Sequence, residues 1–143
     1  MNKTKLSIAM MSLALPGLTI ADELLGMQEN PDTWVMSAGN YANTRYSQLD
    51  EVNQDNVQNL EMAWSFSTGV LRGHEGNSLI IDDVMYVHTP YPNIVYALDL
   101  NNDGAIRWKY EPKQNYDETV PVMCCDVVNR GLSYGDGKIF LNQ

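Results

Sequence analysis

Basic residues are scarce in this 143-residue chain: nine Lys and Arg stand against eighteen Asp and Glu, for a net charge of −9 at pH 7. Nowhere do basic side chains cluster, which excludes nucleic acid as a partner, because phosphate contacts need grouped Lys and Arg. Long apolar runs are equally rare. Only Leu6 to Leu15 qualifies, and Pro16-Gly17 breaks it after about ten residues, where a membrane span takes about 20. Stable membrane insertion is therefore not expected. With two cysteines in all, the chain is not a disulfide-stapled miniprotein. Its two histidines, His74 and His88, stand apart and do not make a His-rich metal site. A content of 44% hydrophobic and 19% charged residues excludes a disordered tail, a collagen and a coiled coil.

What the N-terminus does have is the three-part form of a secretory signal peptide over residues 1–21. Lys3 and Lys5 start it, the Leu6–Leu15 run follows, and Thr19 and Ala21 suit the small-residue cleavage positions. Loss of the leader moves the net charge from −9 to about −11, since both lysines go with it. The remainder, residues 22–143, is expected to be an exported soluble domain in the periplasm.

That remainder reads as an all-β chain of short strands joined by turn residues. A short helix is expected within Glu23–Trp34, then a polar surface loop over Asn40–Asn59 with one helical turn around Asn53–Leu60. Glu61–Ser67 alternates around Met62, Trp64 and Phe66 and is expected as a strand. Ser78–Ile81 and Val84–His88 flank Asp82-Asp83, and Asn93–Leu100 and Ala105–Tyr110 flank Asn101-Asn102-Asp103-Gly104, two hairpin signals. Thr119–Cys125 is expected as another strand, with no helix after residue 60. Leu132–Tyr134 and Lys138–Leu141, around Gly135-Asp136-Gly137, repeat the Leu79–Val87 pattern. Trp64 and Trp108 lie 44 positions apart, the period of a four-stranded propeller blade. About one and a half blades are present. Such a piece cannot cover its own faces, so it is expected to be the N-terminal part of a longer propeller.

Three features carry chemistry. Cys124 and Cys125 are adjacent; a bond between them would close a small strained ring and add little by loop entropy. Buried thiols, half of a metal site, or a rigid platform for a flat ligand all fit the pair. Arg130, in Asn129-Arg130-Gly131, suits either a surface ion pair with Asp126 or an anion contact. Arg72-Gly73-His74-Glu75-Gly76 is a Gly-flanked loop able to turn sharply and present His74 or Glu75.

Taken together, Trp34-Val35-Met36, Asn40-Tyr41-Ala42-Asn43-Thr44-Arg45-Tyr46-Ser47, Trp64-Ser65-Phe66-Ser67-Thr68-Gly69, the Arg72–Gly76 loop, Tyr96–Leu100 through Trp108, and Val122–Gly131 resemble the opening of quinoprotein alcohol dehydrogenases. The similarity covers essentially all of residues 22–143 and looks more like the lanthanide-dependent methanol dehydrogenase branch than the calcium branch. It implies an eight-bladed β-propeller that holds pyrroloquinoline quinone (PQQ) beside a lanthanide or calcium ion. Carried over by motif, Cys124 and Cys125 would form a disulfide under the quinone ring. Arg130 would bind a PQQ carboxylate, and Glu75 would hydrogen-bond the polar rim of the cofactor. Trp108 would dock one blade on the next.

The resemblance also implies oxidation of methanol or another small primary alcohol by hydride transfer to PQQ, with electrons passed to a cytochrome c. It allows a homodimer or a small second subunit. The catalytic base and the metal ligands of such enzymes fall beyond Gln143, so no catalytic or metal-ligating residue is assigned here, and the piece alone is expected to be inactive. A non-enzymatic exported propeller, a scaffold for envelope assembly, is the alternative. It would share the blade pattern but have no use for Glu75, Cys124, Cys125 and Arg130 as a set.

Overall fold

The computed structural model describes residues 19–143. The leader expected over residues 1–21 lies outside them except for its last three positions, with which helix α1 (Thr19–Met27) begins. No helix among the described residues is long and apolar enough to cross a membrane.

Left-handed turn residues set the hairpins. Asp82 and Asp83 have φ of 49° and 59°, the pair of positive values that a two-residue turn needs to match strand twist. They join β1 (Leu79–Ile81) to β2 (Val84–His88), with Ile81 opposite Val84. β3 (Val95–Asp99) and β4 (Ala105–Tyr110) complete an antiparallel sheet in the order β1-β2-β3-β4. The loop between them closes through Gly104 N–H to the Asp99 carbonyl at 2.9 Å. Asp99 also pairs with Arg107 at 3.1 Å, and that hydrogen bond holds its carboxyl below the usual carboxylate range. A second hairpin, β5 (Leu132–Gly135) and β6 (Lys138–Leu141), turns through Asp136 and Gly137, again both at positive φ. One four-stranded unit and the opening hairpin of a second are thus present.

β3 is buried on both faces, which is why Val95-Tyr96-Ala97-Leu98 reads as a continuous apolar run rather than an alternating one. On one side Val95 packs with Val35, Leu79, Ile81 and Leu132, supported by Leu24 and Met27 of α1 and by Ile139 and Leu141 of β6. On the other, Ile94, Tyr96 and Leu98 pack with Trp64, Phe66, Met85 and Val87. Each fully buried Leu, such as Leu79 and Leu98, contributes about 1.5–3 kcal/mol by removal from water. Trp108, with Val95 and Tyr110, faces Ile139 and Leu141 across a cleft of about 330 Å³ between the two sheets, in keeping with a blade-docking role.

Four sequence expectations fail. Thr119–Cys125 is not a strand: Tyr116–Thr119 is a single helical turn, α2, followed by a 3₁₀ turn over Val120–Val122. Asn115 caps α2 by accepting from Asp117 N–H at 3.2 Å, Asp117 and Glu118 occupy its first turn, and Pro121 sits where the 3₁₀ turn needs no donor. Helical structure therefore does occur after residue 60. Glu61–Ser67 keeps only part of the expected alternation: Trp64 and Phe66 are half-buried between exposed Ala63, Ser65 and Ser67, but Met62 is 82% exposed. No strand among the described residues pairs with it, so it forms no ladder. The N-terminal helix also sits earlier than expected, ending at Met27 rather than Trp34. Trp34 instead extends the β1 edge through a pair of backbone hydrogen bonds with Ile80 at 2.8 and 3.0 Å.

The contact between Gly104 and Trp64 gives a test of this packing. Gly104 has φ of +73°, and a Cβ there would stand 2.6 Å from the Trp64 ring. Gly104→Ala is expected to destabilise the complete protein by about 1–3 kcal/mol in urea unfolding. The loss should shrink but persist in Gly104→Ala/Trp64→Ala, because the backbone strain remains once the ring is gone.

Candidate functional site

The four residues singled out from sequence come together. Two loops meet beyond the end of β2: the Arg72–Gly76 loop and the Cys124–Gly131 loop. They are linked by two ion pairs, Arg72 to Asp126 at 3.6 Å and Arg130 Nε to Glu75 at 3.7 Å. The simple pairing of Arg130 with Asp126 does not occur, because Asp126 faces Arg72. Both pairs are half-exposed or more, so each is worth only about 0–1 kcal/mol and is screened by salt. The Arg130 side chain remains 70% exposed, which leaves guanidinium donors free for an anion.

Cys124 and Cys125 lie on this corner as exposed thiols, with their sulfurs in contact at 2.9 Å. The reading of the pair as buried thiols is therefore overturned. Asp126, at φ of 60°, turns the chain immediately after them. The hydrogen bond from Cys124, aided by one from Arg130, pushes the Cys125 thiol down from its ordinary value. The same contact pushes Cys124 up. Cys125 is thus the more readily ionised thiol of the pair, beside Arg130. Glu75 lies close enough to oppose this shift in part, which puts Glu75, Cys125 and Arg130 in one electrostatic environment.

His74 is not part of the shared site. Its Nδ1–H donates to the Arg72 carbonyl at 2.8 Å, which leaves Nε2 to accept from the Thr68 hydroxyl at 3.2 Å. Both ring nitrogens are spent within its own loop. Sequence reasoning missed Arg72, Asp126, His88, Asn93 and Asn129. His88, the last residue of β2, is buried, and its Nε2–H donates to the Asn129 carbonyl at 3.0 Å. Gly76 abuts the edge of the same ring: a Cβ at that position would be 1.8 Å from His88 Cε1 and 2.1 Å from Nε2. Asn129 donates in turn to Asn93 Oδ1 and to the Asn142 carbonyl, both at 2.8 Å. The glycine ending the Arg72–Gly76 loop was the available signal, since a required Gly marks a close approach by another group.

A groove of about 270 Å³ opens beside Arg130, lined by Asn93, Met123, Asn129 and Asn142; it does not include the thiol pair or Glu75. Among the described residues no group of three His, Cys, Asp or Glu is arranged to hold a metal ion. The corner offers a soft, polarisable sulfur pair flanked by two guanidiniums and two carboxylates, and its exposed Arg130 donors are open to an anionic ligand.

Comparison with known proteins bears on which ligand that is. The family described as "Glucose/ethanol/alcohol dehydrogenase, beta-propeller domain", under the name PQQ, matches residues 34–139. A lanthanide-dependent methanol dehydrogenase from Methylorubrum extorquens is 57% identical over 93% of the chain. Subunit 1 of the methanol dehydrogenase [cytochrome c] of Paracoccus denitrificans is 50% identical over 83% of it. The solved structure of a europium-containing methanol dehydrogenase superposes with a TM-score of 0.79, at 58% identity over 84% of the chain. The chain spans about a fifth of the length of these relatives, 22%, 19% and 21% respectively.

The buried imidazole makes stability pH-dependent. Burial lowers the His88 pKa from 6.5, only partly offset by the Asn129 carbonyl, so the native state keeps this ring neutral where the unfolded chain protonates it. Above pH 6.5 the group is neutral in both states and contributes no pH dependence. As pH falls below that value, the unfolded state gains the proton first and stability drops. Urea midpoints measured between pH 7 and about 5 should fall less steeply in His88→Gln than in the parent. Equal slopes would contradict this assignment.

Proposed function

Because the chain belongs to the PQQ-dependent glucose/ethanol/alcohol dehydrogenase β-propeller family, we propose that it supplies one wall of the cofactor site of an exported PQQ-dependent alcohol dehydrogenase. The observation that carries this reading is the meeting of Glu75, Cys125 and Arg130 at one exposed corner. The donor set fits PQQ, a flat quinone bearing carboxylates. Arg130 offers a planar fork to a carboxylate, and the adjacent sulfurs offer a polarisable surface to a ring face.

When bound, PQQ supplies the two-electron acceptor for hydride removed from methanol or another small primary alcohol. The work of this chain is binding and orientation. Arg130 would hold a cofactor carboxylate, giving up part of its contact with Glu75. Glu75 would face donors on the cofactor rim, since a carboxylate facing a carboxylate would be repelled. Cys124 and Cys125 become a disulfide by exchange with an oxidised disulfide carrier, which takes their two electrons and two protons. The depressed pKa of Cys125 suits it as the attacking thiolate. Closing that bond removes the thiols' freedom and leaves a fixed platform under the ring.

A lanthanide ion is the proposed metal cofactor in preference to calcium, in line with the relative named as a lanthanide-dependent methanol dehydrogenase. No described residue is assigned to hold it, and no step is routed through it here. A cytochrome c is the proposed electron acceptor, in line with the name of the Paracoccus relative. Residues 1–21 are proposed as a cleaved leader that directs the protein to the periplasm.

The direct test is reconstitution of the complete protein with PQQ and either a lanthanide or calcium. Alcohol-dependent cytochrome c reduction is expected, with a quinone absorption band in the visible spectrum. A protein that acquires no such band is a scaffold and not this enzyme. Within it, Arg130→Ala should weaken PQQ binding about 10–100-fold, the worth of a charge-assisted hydrogen bond, and Arg130→Lys should restore only part of the loss.

A further inference from the structure

We propose that His88 and Asn129 form a positioning pair that sets Arg130 and Glu75 at the correct separation for the cofactor. The inference rests on the assignment of Arg130 and Glu75 to PQQ but concerns residues that assignment does not use. His88 touches both site loops, each one residue away from a site residue. The Cε1–Nε2 edge of its ring abuts Gly76, the neighbour of Glu75, and its Nε2–H holds the carbonyl of Asn129, the neighbour of Arg130.

The backbone around Arg130 is fixed on both sides. Asn129 Oδ1 accepts from Gly131 N–H at 3.2 Å and so bridges over Arg130. Asn129 Nδ2 donates to Asn93 Oδ1, and Asn93 is itself only 2% exposed in the turn between β2 and β3. The Tyr91 N–H donates to the Val127 carbonyl at 2.8 Å, tying the same turn to the same loop. Gly131 also pairs with Asn77, just beyond Gly76. By contrast, the direct contact between Arg130 and Glu75 is long and exposed, too weak to fix either side chain. Orientation of the two charged groups therefore comes from the buried imidazole and carboxamides beneath them. Gly76 follows as a requirement of His88: any side chain there would displace the ring and with it the Asn129 carbonyl.

The experiment is a double-mutant cycle in the complete protein between His88→Ala and Arg130→Ala, with His88→Gln as the conservative variant, which keeps an N–H donor for the Asn129 carbonyl. Two readouts are taken: the dissociation constant for PQQ, followed by visible absorption, and the pH dependence of Cys125 alkylation in the reduced, PQQ-free protein. Alkylation reports on Arg130 without any cofactor, because Arg130 is one of the groups that depress the Cys125 thiol. His88→Ala should weaken PQQ binding about tenfold and move the alkylation midpoint upward. Adding it to Arg130→Ala should change both readouts by much less than it does in the parent, what remains being its effect through Glu75, and His88→Gln should recover most of both. Fully additive losses, or an unchanged alkylation midpoint in His88→Ala, would overturn the positioning role. A parent protein that binds no PQQ, yet shows the coupled thiol shift, would overturn the cofactor assignment and leave the positioning pair standing.

Discussion

The hydrogen bond from His88 to the Asn129 carbonyl is where the sheet becomes a site. Everything on the sheet side of it is ordinary propeller construction: β2 runs between β1 and β3 with both faces covered, and delivers its last side chain, His88, into the interior. Everything on the far side is loop, held by polar contacts and exposed ion pairs. A buried imidazole can join the two because one ring nitrogen satisfies a backbone carbonyl while its edge meets a glycine at a distance no other residue permits. Burying a polar group is costly unless it is paired, and among the described residues no buried side-chain nitrogen or oxygen lacks a partner.

The electrostatics of the corner follow from that support. Arg72, Arg130, Glu75 and Asp126 are too exposed for their pairings to order the loops by themselves. They remain free to exchange partners when an anion arrives, at little cost. The thiol pair is polarised first by its own contact and then by Arg130, which lowers Cys125, while the same contact raises Cys124. A rigid base carrying loosely paired charges suits the role proposed for this corner, recognition of carboxylates on a flat cofactor.

How much of this was legible in the sequence depended on whether the signal was local. Asp82-Asp83 and Asp136-Gly137 announced their hairpins because turn residues act through their own backbone angles. Double burial of β3 showed in its unbroken apolar run. The stretch Val120-Pro121-Val122-Met123 misled because apolar content alone does not separate a strand from a short helical turn, and the deciding signals, the Asn115 cap and Pro121, sit at its edges. The four residues proposed for the site were singled out through a family resemblance carried by motifs; spacing alone left Cys124 and Cys125 undecided among several roles. His88 and Asn129 were illegible. They are 41 positions apart and meet only because the β2–β3 turn and the Cys124–Gly131 loop fold back on each other, a relation no sequence window contains.

The central claim is that this corner holds PQQ, with the sulfur pair under the ring and Arg130 on a carboxylate. The most direct measurement is a structure of the complete protein determined with PQQ bound. The account predicts the ring lying against Cys124 and Cys125, with a cofactor carboxylate within hydrogen-bond distance of the Arg130 guanidinium and His88 still bonded to the Asn129 carbonyl. PQQ found elsewhere in the propeller, with Arg130 still paired only to Glu75, would contradict it.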